Sequence, residues 1–182
     1  TIPETETQET VSPATHATRK EFGSIQTWET GYTGKGMRIA VVDTGLDLDH
    51  PSFAAAPPLT ETSLTKDEIR KVLPELNAYE AYQGVLGLTA DTLYRSEKVP
   101  FAFNYVDVNL DVTHDHDTQG DHGTHVAGIA AANSGDTIRG VAPDAQIVAM
   151  KVFDDLLGQG RESNIIAAVE DAVTLGVDVI NM

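Results

Sequence analysis

Two short clusters in the chain carry side chains able to do acid–base chemistry. The first is Val41-Val42-Asp43-Thr44-Gly45, with Asp47 and His50-Pro51 close behind. The second is Asp121-His122-Gly123-Thr124-His125-Val126-Ala127-Gly128, which sets His122 79 positions after Asp43. Asp43 closes an apolar run, and a carboxylate at the carboxyl end of a buried strand points into the crevice where open α/β sheets bind ligands. The same residue type at that place also serves simply to cap the following turn. His122 opens an Ala-rich helical pattern. The positive end of a helix dipole disfavours protonation of an imidazole there, and a neutral imidazole near neutral pH is a general base.

Other chemistry competes for the same residues. His122 and His125, with His114, Asp115, His116 and Asp117, hold enough nitrogen and oxygen donors to suggest a metal cluster and a metal-dependent hydrolase. Helical His pairs that bind zinc sit four apart with a Glu between them. Here the spacing is three and the Glu is missing, so no metal ligand is assigned. A purely structural role, capping and packing, is the default for a lone His; the strand-end Asp upstream weighs against it.

The elements that must position these residues are legible around them. Arg38-Ile-Ala-Val-Val-Asp43 is a continuous apolar run bounded by turn residues, the mark of a parallel strand buried on both faces. Gln146–Val152 and Val177–Met182 read the same way. Between them, Gly123–Ala132 forms a helix that Asn133 ends. A second helix is capped by Ser163 and stopped by Gly176. Strand, helix, strand, helix, strand predicts an α/β fold with a doubly wound, mainly parallel sheet. Gly123 and Gly128 carry so little bulk that each allows another backbone to approach. Ser24–Glu29 predicts a short helix docked by Ile25 and Trp28. Residues 54–113 interrupt the pattern and read as an insertion on the sheet's edge, with Thr65-Lys-Asp-Glu68 opening a helix that stops near Pro74. Residues 1–21 read as a mobile N-terminal arm, because a Thr-, Glu- and Pro-rich stretch buries too little apolar surface to order itself. Residues 22–182 form the domain proper.

Composition excludes several function classes. A net charge of −16 repels phosphate backbones, so no nucleic-acid partner is expected. No apolar run reaches 18 residues, so no membrane span is encoded. The absence of Cys excludes a disulfide framework and a Cys nucleophile within these 182 residues.

Taken together, D-T-G after a buried strand and H-G-T-H-V-A-G at a helix start resemble the subtilisin (subtilase) family of serine proteases, in which the chain order is Asp, His, Ser. Arg139-Gly-Val-Ala-Pro143, Met150-Lys-Val152, Gly158-Gln-Gly160 and Val179-Ile-Asn-Met182 agree with it, so that the resemblance spans roughly residues 22–53 and 103–182. The run from Asp107 to Asp117 is loosely similar to lactocepin-type cell-envelope proteinases.

The resemblance implies a serine endopeptidase acting on protein or peptide substrates, with Asp43 supporting His122 and His122 activating a Ser hydroxyl. His125 would be structural. Gly158, Gln159 and Gly160 would pair an extended substrate as an added strand, beside a wall made negative by Asp154 and Asp155. No cofactor is implied for catalysis. Structural calcium is conceivable in the family, but Ser52 stands where many members place a calcium-binding Asp. Together with the missing Cys, the resemblance implies an extracellular or cell-wall location in a bacterium. The family's Ser-Leu-Gly, oxyanion Asn and Gly-Thr-Ser segments do not occur by Met182. The reading is therefore of the N-terminal portion of an incomplete catalytic domain, inactive without its missing C-terminal half. The alternative at this level is a non-catalytic relic acting by binding.

Overall fold

A computed structural model describes residues 21, 23–82, 87–113, 121–135 and 138–182. Residues 1–20 of the 1–21 arm and the metal-cluster candidates His114, Asp115, His116 and Asp117 lie outside the described residues. The frame of the structure is a four-stranded parallel sheet of β1 (Arg38–Asp43), β2 (Phe101–Asn104), β3 (Gln146–Lys151) and β4 (Val179–Asn181), in the order β2-β3-β1-β4. From β1 the chain reaches β3 on one side and β4 on the other, so winding reverses at β1. The carboxyl end of such a strand is where this class of sheet leaves its crevice.

Each strand residue is committed to one face by the two-residue period of the strand. Ile39 and Val41 of β1 join Ile147 and Ala149 of β3 against Ala127 and Ala131 of helix α5 (His122–Ala131). Ala40 and Val42 join Val148 and Met150 on the other face, under Ala168 and Ala172 of helix α6 (Glu162–Thr174). Both faces of β1 and β3 are covered, which is why these two strands read as unbroken apolar runs, whereas the edge strand β4 is not buried as expected, with Val179 and Asn181 exposed.

Among the described residues the first helix, α1 (Ser24–Glu29), has the bounds expected from sequence, and Trp28 Nε1 donates to the Val141 carbonyl at 2.8 Å. Helix α6 ends before Gly176 as expected, but Ser163 does not cap it. Arg161 occupies the cap position and Ser163 lies one residue inside the helix, because the Phe153–Gly160 bridge closes the preceding loop early enough for Glu162 to start the helix. Gly128 meets nothing within 4 Å of where a Cβ would stand, so the close approach expected of it does not occur.

Residues 54–113 do more than decorate an edge. They hold helices α2 (Lys66–Val72), α3 (Asn77–Tyr82) and α4 (Ala90–Leu93), and α2 is capped by the Thr65 hydroxyl accepting from Glu68 N. Leu64, Ile69, Leu76, Leu88 and Leu93 are buried in the same cluster as α6, and Phe101–Asn104 is the edge strand β2 itself. Asp171 of α6, fully buried, fastens the segment down. Its carboxylate accepts from Asn77 N at 2.6 Å, Asn77 Nδ2 at 3.1 Å, Ala78 N at 2.9 Å and Tyr105 OH at 2.8 Å. It thereby serves as the cap that α3 lacks in its own sequence. Burial raises the pKa of Asp171, and the hydrogen bonds it accepts oppose that rise.

Candidate active site

Asp43 is the last residue of β1 and falls on the face that carries Ile39 and Val41, the face covered by α5. Its carboxylate is therefore presented to the start of that helix. His122, the first residue of α5, meets it there: Nδ1 lies 2.8 Å from Asp43 Oδ1. Asp43 is buried, whereas the His122 side chain is 58% exposed. The pair is thus a buried carboxylate holding one nitrogen of an imidazole that opens to the surface.

Thr44 holds both partners. Its N–H donates to Asp43 Oδ1 at 2.7 Å, and its hydroxyl accepts from Gly123 N at 3.0 Å, satisfying a first-turn amide of α5 that Asp121 leaves uncapped. Asp47 N donates to Thr124 Oγ1 at 2.9 Å, a second tie between the turn and the helix. Gly45, at φ +133°, lets the chain leave the strand, and Leu46 N then donates to the Val112 carbonyl at 2.8 Å.

The sheet register sets a polar row across this end. Asn104, Lys151 and Asp43 stand side by side on β2, β3 and β1. Lys151 is fully buried, donates to the Thr44 carbonyl, and pairs with Asp155 at 2.6 Å. Asn104 organises the next turn, its Oδ1 accepting from Val106 N and Asp107 N and its Nδ2 donating to the Asp111 carbonyl.

Gly158, Gln159 and Gly160 lie on the return limb of the loop that follows β3 at this same end. Val152 N donates to the Asp43 carbonyl at 3.0 Å, and Phe153 and Gly160 form an antiparallel bridge. Asp154 holds the loop from within, accepting from Leu156, Leu157 and Gln159 amides; these bonds lower its pKa. Of the two acids read as an anionic wall, Asp155 is neutralised by Lys151. His125 is exposed and its amide closes the first turn on Asp121. Ser52 is buried, with its carbonyl accepting from Asn133 N. It supplies no carboxylate, so no calcium ligand is assigned there.

Residues 34–182 match the Subtilase family, Peptidase S8. The chain is 34% identical over 175 residues to the minor extracellular protease Vpr of Bacillus subtilis, covering 96% of this chain and 17% of that protein. It is 36% identical over 158 residues to the PI-type proteinase of Lactococcus lactis subsp. cremoris, covering 83% and 8%. Over 153 residues it is 31% identical to subtilisin E of Bacillus subtilis, covering 84% and 28%. The chain thus spans less than a third of the length of each of these relatives.

Proposed function

Because the chain belongs to the subtilase family, we propose that it serves a serine endopeptidase in which Asp43 and His122 are two members of the catalytic triad. The observation that carries this reading is the 2.8 Å contact between His122 Nδ1 and Asp43 Oδ1 at the carboxyl end of β1. A carboxylate can only accept, so Nδ1 carries the proton, and in the neutral imidazole Nε2 keeps its lone pair. Nε2 then removes the proton from a serine hydroxyl and returns it to the leaving amine, while Asp43 stabilises the imidazolium formed between those steps.

The serine is proposed to lie outside these 182 residues. Among the described residues, Ser24, Ser52 and Ser63 are buried, the hydroxyls of Ser96 and Ser134 are engaged in main-chain turns, and Ser163 lies on α6. On this reading the 182 residues alone are inactive. Gly158, Gln159 and Gly160 pair with an extended peptide substrate, which the strand-like return limb of their loop favours. A secreted or cell-surface bacterial setting belongs to the same proposal; the Vpr relative is by its name an extracellular protease.

The test is hydrolysis of a peptide library by the complete protease. A serine-directed covalent inhibitor should abolish it and a chelator should leave catalysis intact. Loss of activity with the chelator and survival with the inhibitor would overturn the proposal.

A further inference from the structure

Lys151 is the one fully buried lysine on the sheet face that carries Asp43, directly opposite it in the β1–β3 register. A buried ammonium is costly unless it is paired and hydrogen-bonded, and among the described residues it meets two groups from different parts of the site. One is the carbonyl of Thr44; the other is the carboxylate of Asp155.

Each of these contacts leads somewhere specific. Thr44 is the residue whose N–H holds Asp43 Oδ1 and whose hydroxyl holds Gly123 N, next to His122. Fixing its carbonyl fixes the third polar group of that residue, in the Thr44–Gly45 peptide directly after the one whose N–H holds the carboxylate. Asp155 sits in the loop whose return limb is Gly158–Gly160, a loop pinned internally by Asp154 but tied to the strand end by the Lys151 pair.

We propose that Lys151 is a positioning residue that couples the alignment of the Asp43–His122 pair to the placement of the Gly158–Gly160 segment. It touches neither substrate nor the transferred proton. It holds the turn carrying the carboxylate and the loop carrying the substrate strand to a single point, so that the two cannot shift independently. This inference rests on the proposed peptidase function.

The test uses the complete protease, an uncharged peptide substrate, and active-site counting with a serine-directed covalent inhibitor. For Lys151→Met, kcat per titrated site should fall roughly tenfold to a hundredfold, the range for a small misplacement of catalytic groups, and KM should rise. For Asp155→Asn, KM should rise severalfold with kcat lowered less than twofold, because the Thr44 contact survives. An unchanged kcat in folded Lys151→Met overturns the coupling. If Lys151→Met does not fold, Asp155→Asn decides alone, and an unchanged KM overturns it. A wild-type enzyme that fails to titrate with the inhibitor counts against the peptidase reading instead. The positioning claim is then read from the downfield proton resonance of the His122 Nδ1–H, which should shift or vanish in Lys151→Met; an unmoved resonance overturns it.

Discussion

Gly123 rests so tightly on Gly45 that a Cβ on it would lie 2.2 Å from the Gly45 carbonyl oxygen and 3.2 Å from Asp43 Cβ. The helix that carries His122 and the turn that follows Asp43 are in backbone contact, and only a residue without a side chain permits it. Gly123→Ala must therefore push the start of α5 away from β1. The expected cost is about 1–3 kcal/mol of stability, together with a loss of kcat near a hundredfold as the 2.8 Å contact lengthens. Denaturant titration and kinetics on the complete enzyme check both; wild-type kcat would contradict the contact.

Asp43→Asn keeps the shape of the acid and removes its charge. An amide can present its NH2 to Nδ1 and so hold the imidazole in the wrong tautomer, and kcat should fall by roughly 10^4. On the proposed mechanism Asp43 and His122 act as a unit, so Asp43→Asn combined with His122→Ala should be little worse than His122→Ala alone. Additive losses in a double-mutant cycle would contradict that.

Lys98 predicts a pH dependence unrelated to catalysis. It is buried, with Nζ donating to the carbonyls of Pro143 and Ala145 at 2.8 and 2.7 Å. Burial pushes its pKa down to about 8 from the ordinary 10.5, although Asp144 pulls it the other way. Between those two values the unfolded chain holds a proton that the folded one has lost, so stability from this group rises with pH across that window. The wild type should gain on the order of 3 kcal/mol relative to Lys98→Met between about pH 8 and pH 10.5, and nothing below it. Parallel urea titrations across that range measure the difference, and a flat difference would refute it.

Asp171→Ala leaves the amides of Asn77 and Ala78 and the hydroxyl of Tyr105 without their acceptor. A loss of about 3 kcal/mol is expected. Amide exchange should accelerate first in α3, ahead of β1 and β3. Uniform acceleration throughout would show that Asp171 holds the whole fold and not this one segment.

Much of the frame could be read from residue order because burial on both faces leaves a direct trace. Ile39–Val42 and Ile147–Met150 are apolar without alternation, and the strands are where those runs are. β2 escapes the same logic. Phe101–Asn104 is four residues long, follows Pro100, and ends in a polar residue, too little to distinguish from the surrounding loops. Asp43 and His122 were legible because each stands at an element boundary with glycines nearby. Lys151 was not, since a lysine at the end of an apolar run looks like any strand residue emerging into solvent. Only the register that sets it beside Asp43 reveals it as buried. The cap supplied by Asp171 was hidden for a related reason: it lies 94 positions from the helix it caps.

The far end of α5 is closed as firmly as its start. The amides of Gly140, Val141 and Ala142 donate to the carbonyls of Ala132, Ile129 and Ala130, and a Cβ at Gly140 would lie 2.6 Å from Ala131 N. Positions 123 and 140 thus load one rigid rod from its two ends: a side chain added at 140, some two turns of helix from His122, would press on the backbone of α5 and bear on the placement of a residue it never touches.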